Sequence, residues 1–527
     1  MYEDIISSYR KAKADRVLWE GHWEEIAERV IPRYAQSFQG VPQQGDKRTE
    51  KVFDGTPQLA LETMAKALEG MIVPRDQRWH RMRATNKKLN RSGNVLKYFD
   101  ELNDTVFHYR YLPQANFQSQ MFEFWLSLGA FGTACLYLDK NTEGVGLRYR
   151  AISLAEIFIE ENHQGIIDRV YRCFTMMKRQ MAQKFKELPE RVRDAKDDAE
   201  FKIIHAVVPN YERDLERKDA AGMKFKSVYM LEQDGSVIES GGYESMPYLI
   251  SRYITAPGET YGRSPAMQVL SNIKVVNEEV KTRLKVGHRA ADPVILTHDD
   301  GVIDHMSLEP GTAVSGAMTE DGKRLVDILP SGDLRTLTSM IEEERSIIKE
   351  AFMVNMFQIL LETPRMTATE VLQRTREKAI LLSPTMGRQQ TELLGPMIER
   401  EIQLLADQDV LPEMPMELIE AKGEYTVVYD SPLSRAARAE EAGGFMQTLE
   451  MAMTLANARQ DPSALDWLNE DVAIPAIAEI TSTPAAWIRT SEEVQALRDA
   501  RAQQMQAQMA IQAAPAAASM MKATANA

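Results

Sequence analysis

Residues 259–270 read ETYGRSPAMQVL, and this stretch decides how the middle of the chain is interpreted. Ser264 is a favoured N-cap residue and Pro265 suits the first position of a helix, so a helix is predicted to begin here. It runs to about Arg289 and stops before Pro293, because a residue that precedes proline is disfavoured in helical conformation. Its apolar stripe is formed by Met267, Leu270, Ile273, Val280 and Leu284.

Residues 291–332 differ in character from the helix that precedes them. Short apolar runs are separated by the turn signals DDG, PGT and EDG, which predicts a small β insertion. It contains eight acidic residues but only two basic ones, Lys323 and Arg324, so its charge balance is −6. A second helix follows at 333–355, so the chain leaves a larger domain along one helix and returns along another. The first helix has a charge balance of +3 and the second of −2, which favours helices packed together within a subunit or between subunits.

The flanking regions predict an α+β fold. Residues 2–31 have helical periodicity up to Pro32, and short β-branched and aromatic runs from residue 131 predict a mainly antiparallel sheet. Residues 1–260 are therefore interpreted as an α+β domain. A capping box at Thr367-x-x-Glu370 begins a long helix that Pro396 should bend. Residues 424–430 predict one more strand, and the chain from 436 onward is helical.

Composition limits the classes of function. The 527 residues include 77 acidic and 63 basic residues, a net charge of −14, which argues against a protein that grips nucleic-acid phosphates tightly. Cys135 and Cys173 are expected in the core of a chain from a reducing compartment. We expect neither a signal peptide nor a membrane helix.

Few residue patterns suggest catalysis. His298, Asp299, Asp300, Asp304 and His305 could bind a divalent metal, but their spacing matches no known metal motif and DDG is an ordinary turn. A solvated loop is the preferred interpretation, and a metal-dependent hydrolase using the His298–His305 cluster is the alternative. There is no P-loop and no GxSxG elbow, so we expect no enzyme activity and no cofactor.

Four stretches carry a family resemblance: WEEIAERVIPR (23–33), FDGTPQLALETMAKALEGMIVP (53–74), ETYGRSPAMQVLSNIKVVNEEVKTRL (259–284) and ETPRMTATEVLQR (362–374). In this order the chain resembles the portal proteins, or head-to-tail connectors, of short-tailed T7-like bacteriophages. A structural adaptor that forms no ring is a further alternative.

The resemblance implies a division of the chain. Residues 1–260 and 367–435 would form an α+β wing, and 261–290 and 333–355 the two stem helices. The clip would be 291–332 and the tunnel loop 356–366. Residues 436–527 would form a helical crown whose end is either a barrel or a disordered tail. By the same resemblance the chain forms a ring, usually a dodecamer, that is assembled in the host cytoplasm and sits in the virion at one capsid vertex.

The resemblance also implies roles for residues and partners. Tyr261, Gly262, Arg263, Ser264 and Pro265 would form the hinge into the stem. The tunnel-loop candidates for contact with DNA are Gln358, Thr363 and Arg365, although Arg365 could instead pair with Glu362. The clip residues expected to dock other proteins are Asp299, Asp300, Asp304, Glu320 and Asp321. The implied partners are double-stranded genomic DNA, major capsid and scaffolding proteins, the terminase that packages DNA, a tail adaptor and internal core proteins, with no membrane.

Overall fold

The structure is a computed structural model. It describes residues 2–297, 318–355 and 385–505, with short gaps at 41–42, 44, 76, 87, 218, 320, 325, 331, 422, 430–431, 460, 462, 464, 481–488 and 490–492. The chain forms two compact units. The first contains Met1–Leu68, Gln120–Tyr137 and Ala151–Pro364, and the second contains Glu69–Ser119, Leu138–Arg150 and Arg365–Ala527. Helices and antiparallel strands both occur, which confirms the α+β class.

The helices are, in chain order, α1 (Tyr2–Asp15), α2 (Val17–Val30), α3 (Thr56–Ile72), α4 (Gly93–Tyr111), α5 (Phe117–Phe131), α6 (Lys178–Lys184), α7 (Glu190–Arg193), α8 (Pro265–Gln268), α9 (Leu270–Ala291), α10 (Leu334–Ala351), α11 (Gly395–Ala406), α12 (Met416–Glu420), α13 (Pro432–Arg459) and α14 (Glu470–Ile480). The strands are β1 (His80–Ala84), β2 (Thr133–Lys140), β3 (Leu147–Ile152), β4 (Ile157–Glu161), β5 (Ile167–Met177), β6 (Glu200–Pro209), β7 (Phe225–Leu231), β8 (Val237–Tyr243), β9 (Tyr248–Arg252), β10 (Ile295–Thr297), β11 (Val326–Ile328) and β12 (Tyr425–Tyr429). None of the helices in the described ranges combines the length and the apolar character needed to cross a bilayer.

The first helical region is broken at Arg16, so the prediction of one helix over residues 2–31 is wrong. The Arg16 side chain is 3% exposed and donates hydrogen bonds to the carbonyls of Leu154, Ala155 and Ile157 at 2.9, 3.0 and 2.5 Å. These carbonyls lie at the turn into β4. Periodicity continues across the break, so the sequence did not reveal it.

The core of the first unit is a five-stranded antiparallel sheet in the order β4-β5-β6-β7-β8, as the short apolar runs predict. Adjacent residues of β6 face opposite sides of it. Ile204 packs in a cluster with Tyr9 of α1, whereas Ile203 packs in a cluster with Met181 of α6 and Val192 of α7. Because side chains alternate along a strand, helices cover both faces of the sheet.

Strand β2 pairs antiparallel with β9, with Thr133 opposite Arg252 and Tyr137 opposite Tyr248. This pairing brings the segment that follows β9 next to the start of β2. Cys135 is buried in β2, and Cys173 is half-buried in β5; both are free thiols. The core positions predicted for the two cysteines are thus confirmed for Cys135 and partly for Cys173.

In the second unit, β12 confirms the strand predicted at 424–430, and it pairs with β1, which the sequence analysis did not identify. Helix α4 packs against β1. Near Pro396, where a bend was predicted, the helix continues through the proline, and a π-helical turn at Gln390–Leu394 lies immediately before α11. Helices α13 and α14 agree with the helical character predicted after residue 436.

Candidate functional site

The candidate site is the helical hairpin of the first unit, formed by α9 and α10, together with the residues that hold its base. The chain enters it through Tyr261–Pro265, which we call the joint. Tyr261 is 4% exposed, and its ring contacts the ring of Trp23 edge-to-face with centroids 5.1 Å apart. Its hydroxyl accepts a hydrogen bond from the Ile159 amide at 3.4 Å. Burial raises the pKa of Tyr261 to about 12, so the side chain stays neutral at physiological pH.

Two glycines let the joint approach β2 closely. Gly132 has φ of +75°, and a Cβ atom built there would lie 2.4 Å from the carbonyl oxygen of Gly262. A Cβ atom on Gly262 would lie 2.2 Å from the carbonyl oxygen of Gly132. The Gly262 amide also donates to Thr133 Oγ1 at 2.8 Å. Only glycine fits at these two positions, because any side chain would collide with backbone.

Ser264 has the capping role that the sequence predicts. Its hydroxyl accepts a hydrogen bond from the Met267 amide at 3.0 Å and donates one to the Ala130 carbonyl at 2.7 Å. Pro265 is the first residue of α8. The cap therefore begins a helix at the predicted residue and ties it to the end of α5. Val269 then separates α8 from α9, so the prediction of one continuous helix from Ser264 to about Arg289 is wrong.

Arg263 is the exposed member of the joint. Its Nε donates to Glu259 at 2.7 Å, and its guanidinium lies 5.2 Å from the ring of Trp19. An ion pair this exposed stabilises little. The buried Tyr261 and the glycine contact hold the joint in a fixed geometry, and its role as a hinge stays a prediction.

A second set of contacts, which we call the base clasp, joins both helices to the loop before α3. Asn277 of α9 donates to the Lys51 carbonyl at 2.8 Å and accepts from the Phe53 amide at 2.7 Å. Arg345 of α10 donates from Nε and Nη2 to Asp54 Oδ2 at 2.9 and 2.6 Å. The two helices of the hairpin therefore hold consecutive residues of one loop.

Asp54 is the central residue of the base clasp. Its other oxygen accepts a hydrogen bond from the Thr56 amide at 2.8 Å, which caps α3. Burial alone would raise the pKa of Asp54, but the hydrogen bonds from Thr56 and Arg345 outweigh it and hold the pKa below its usual value. The carboxylate is thus ionised at neutral pH, and both of its oxygens accept hydrogen bonds.

Burial along the hairpin is concentrated at its base. In α9, Leu270, Ile273 and Val280 are buried, whereas every residue after Val280 is at least partly exposed. Leu284, which the sequence places in the apolar stripe of this helix, is 48% exposed in a single copy. The reason is that the first unit covers the hairpin only up to Val280.

The charges of the two helices are not paired with each other. Lys274 of α9 forms an ion pair with Glu25 of α2, and Arg345 of α10 pairs with Asp54. Where the helices meet, Glu279 faces Glu344, and burial together with the Glu344 charge raises the pKa of Glu279. Within the described residues no ion pair joins α9 to α10. The opposite net charges of the two helices therefore do not produce ion pairs between the described residues of α9 and α10 within one copy. Ion pairs between copies stay a prediction.

At its far end the hairpin carries the short antiparallel pair β10–β11, with Ile295 opposite Ile328. This agrees with the start and end of the predicted β insertion. Asp321 lies exposed in a turn closed by the hydrogen bond from the Gly322 amide to the Thr319 carbonyl at 3.0 Å. The other predicted docking residues lie outside the described residues: Asp299, Asp300, Asp304 and Glu320.

Two further sets of predicted residues also lie outside the described part of the chain. They are the His298–His305 cluster and the tunnel-loop candidates Gln358, Thr363 and Arg365. Among the residues that the structure does describe, no group of three or more His, Cys, Asp or Glu is placed to hold a metal ion.

The contacts of the joint and the base clasp serve to position a part of the chain. They hold a helical hairpin firmly at its base and leave the remainder of the hairpin accessible. The residues that sequence reasoning missed are Asp54, Asn277 and Arg345. The FDGT stretch at 53–56 carries part of the family resemblance, but nothing local to it indicates partners 224 and 291 residues away.

Comparison with known proteins finds related sequences. The sequence model of the family described as "Bacteriophage head to tail connecting protein" matches residues 2–488. The chain is 26% identical over 514 residues to the "Probable portal protein" of Bordetella phage BPP-1, covering 95% of this chain and 91% of that protein. It is 24% identical over 532 residues to the "Portal protein" of Salmonella phage epsilon15, covering 98% and 94%. It is 23% identical over 475 residues to the "Portal protein" of Escherichia phage T7, covering 86% and 83%.

Proposed function

Because the chain belongs to the bacteriophage head to tail connecting protein family, it functions as a portal protein, and we propose that many copies close into a ring at one capsid vertex. Genomic DNA enters the capsid and leaves it through the central channel. The ring has twelve copies, the number usual in this family. It is a structural component of the virion and is assembled in the host cytoplasm.

The observation that carries the ring proposal is the hairpin. Its base is held by the joint and the base clasp, while Leu284 and Met340, each 48% exposed, present apolar surface along it. Burying apolar surface is favourable by roughly 25 cal/mol per Å². Neighbouring copies in a ring would cover such surface without any change in the unit that holds the hairpin.

Charge supports a channel through which DNA slides. Each basic residue that neutralises a phosphate releases counterions and adds affinity, so a channel rich in lysine would retain the duplex. The chain carries a net charge of −14, which is repeated in every copy of a ring. Screening confines the repulsion to about 8–10 Å at ordinary salt, so passing DNA is neither bound tightly nor strongly excluded.

The regions of the ring follow the order inferred from sequence. Residues 1–260 and 367–435 form the wing, 261–290 and 333–355 the stem, 291–332 the clip, 356–366 the tunnel loop and 436–527 the crown. Tyr261–Pro265 is the junction between wing and stem. Residues 1–260 contribute to both compact units, so the proposed wing does not coincide with either of them.

Contacts with partners are assigned by charge. Asp299, Asp300, Asp304, Glu320 and Asp321 of the acidic clip dock the terminase during packaging and a tail adaptor afterwards. Arg365, with Gln358 and Thr363 as neutral partners, makes transient phosphate contacts in the channel. Capsid, scaffolding and internal core proteins contact the remaining surfaces. The packaging ATPase is a separate chain.

The proposal is tested by the mass of the purified protein in solution. Size-exclusion chromatography with light scattering should give a species many times the 59.7 kDa of one chain. The same sample should bind duplex DNA weakly at physiological salt. A protein that remains a single chain at every concentration, or that binds DNA tightly at that salt, would contradict the proposal.

A further inference from the structure

The segment that follows α3 is strongly basic in an otherwise acidic chain. Residues 77–99 contain seven lysine and arginine residues and no acidic residue, although the whole chain has a net charge of −14. The seven are Arg78, Arg81, Arg83, Lys87, Lys88, Arg91 and Lys97. Like charges that lie together repel one another, so a cluster of this kind favours a polyanionic partner.

Strand β1 carries two of these arginines on one face. His80 and Ala84 are buried, whereas Arg81 and Arg83 are half-buried. Because side chains alternate along a strand, the two arginines share the face opposite to that of the buried residues. The buried face packs on α4, where the ring of His80 stacks on the ring of Phe107 with centroids 4.7 Å apart.

Strand β12 extends the arginine face and adds no acidic residue to it. Arg81 lies opposite Val428, and Arg83 lies opposite Thr426, which is exposed. Lys88 is exposed just beyond the end of β1. We call Arg81, Arg83 and Lys88 the basic ribbon. It belongs entirely to the second unit.

Neighbouring acidic residues offset only part of this charge. Arg78 pairs with Asp100 and Asp104 of α4, so it is not counted in the basic ribbon. Glu424 lies exposed immediately before β12, and its carbonyl accepts a hydrogen bond from the Thr85 amide at 3.2 Å. The three basic residues of the ribbon and this one acidic residue leave a balance of +2.

The half-burial of the two arginines is compatible with contact to a partner. An arginine side chain lays its aliphatic stem along a protein surface while its guanidinium stays in water. Arg81 and Arg83 each also interact within the chain. A guanidinium has several donors, so it can keep such an interaction and still donate to a phosphate.

We propose that the basic ribbon binds the phosphate backbone of double-stranded DNA, as a contact separate from the tunnel-loop candidates. The charge of the ribbon selects a polyanion, and the identification of that polyanion as DNA rests on the proposed function. Duplex DNA has one negative charge per about 1.7 Å of its axis, whereas an extended acidic polypeptide has at most one per about 3.5 Å. Binding to the ribbon therefore releases more counterions from DNA than from an acidic polypeptide.

Three phosphate contacts per copy suit a duplex that slides. The affinity that they supply falls about 40-fold between about 50 and 200 mM salt. The basic ribbon therefore guides DNA at physiological salt without retaining it.

The salt dependence of DNA binding tests the proposal, measured with the full-length protein by fluorescence anisotropy of a short labelled duplex. In Arg83→Gln/Lys88→Gln the loss of affinity between about 50 and 200 mM salt should be about twelvefold smaller than in the unchanged protein, because two phosphate contacts are removed. Arg179→Gln/Lys186→Gln removes the same charge from exposed positions of the first unit and should leave the salt dependence unchanged. An equal change in both double variants, or no change in either, would overturn the proposal.

Single variants separate phosphate contact from a structural role. Lys88→Gln, at an exposed position, should reduce the salt dependence by about three- to fourfold, the share of one contact. Arg83→Lys keeps the charge without the planar guanidinium, so it should keep the salt dependence that Arg83→Gln loses. Thermal unfolding reports whether each variant is folded. If Arg83→Lys behaves as Arg83→Gln does and Lys88→Gln has no effect, the ribbon does not bind phosphates.

Competition distinguishes DNA from an acidic protein partner. Polyglutamate at an equal concentration of charge should displace the duplex poorly because its charge density is lower. Equal displacement by polyglutamate would overturn the assignment to DNA. Light scattering of the same samples measures assembly independently. A ring whose DNA binding ignores the ribbon refutes this inference alone, whereas a single chain that binds DNA through the ribbon refutes the ring alone.

Discussion

Arg345 of α10 donates two hydrogen bonds to one oxygen of Asp54, although 291 positions separate these residues in the chain. The contact fixes the returning helix of the hairpin to the loop that begins α3. Since the Asp54 side chain is 1% exposed, removing Arg345 leaves a buried carboxylate short of a partner. Arg345→Ala should destabilise the first unit by about 2 kcal/mol, measured as a lowered midpoint of thermal unfolding.

The pH dependence of this difference identifies its cause. The pKa of Asp54 is lower in the folded protein than its ordinary value of 3.8. The contribution of the pair is therefore complete above about pH 4 and is lost as the pH falls through the folded pKa. Arg335→Ala, at an exposed position of the same helix, is the control and should have little effect. A deficit in Arg345→Ala that is the same at pH 3 and pH 7 would rule out the ion pair as its origin.

The contact between Gly132 and Gly262 should not tolerate a side chain. Gly132→Ala combines a positive φ with a collision against backbone, so we expect loss of soluble folded protein. Gly258→Ala is the matched control, because Gly258 also has positive φ (+78°) but has open space around its Cβ position. That control should cost about 1 kcal/mol and still fold. Equal yields of the two variants would show that the close approach is not needed.

His205 should make the first unit sensitive to acid. It is buried, with its ring nitrogens 2.6 Å from the Tyr248 hydroxyl and 2.9 Å from Ser227 Oγ. Burial, with the nearby charges of Lys184 and Arg172, holds its pKa well below 6.5. The folded protein therefore keeps it neutral while the unfolded chain takes up a proton, so stability falls as the pH drops below about 6.5.

His205→Gln should flatten this pH dependence between pH 5 and 6.5 and lower stability at pH 7, measured by thermal unfolding at each pH. His163→Gln, at an exposed loop position, should leave the profile of the wild type unchanged. If His205→Gln keeps the full acid sensitivity, the proton is taken up elsewhere, for example at the equally buried His80.

The exposed apolar residues of the hairpin should matter for assembly more than for folding. Leu284→Asp and Met340→Asp change residues that are 48% exposed in one copy, so each variant should fold normally but lose the high-mass species in light scattering. Leu215→Asp, in the loop between β6 and β7 where Leu215 is 80% exposed, is the control and should still assemble. Full assembly of both hairpin variants would exclude the hairpin as a contact between copies.

Local signals in the sequence were sufficient for much of the fold. The Ser264–Pro265 cap and the alternating runs of the sheet each depend on neighbours in the chain, and both predictions agree with the structure. The break at Arg16 was missed because the periodicity continues across it, and the carbonyls that the Arg16 side chain contacts lie about 140 positions away. The base clasp was missed because a single asparagine or arginine gives no sign of its distant partner.

Exposure was the other quantity that local patterns did not predict. Leu284 continues the apolar stripe of α9 in sequence, yet the first unit covers that stripe only up to Val280. Whether such a residue is buried depends on where the neighbouring elements end and on how many copies assemble. The pattern identifies the face of the helix correctly but not how far along the helix it is covered.

Electron microscopy of the purified protein in negative stain tests the central claim most directly. The account predicts closed rings with a central hole, with the 264–354 hairpin on the inner part of the ring, where a label on Asp321 would mark one end of the channel. Single compact particles without a hole at every concentration, or rings with that label on the outer rim, would contradict it.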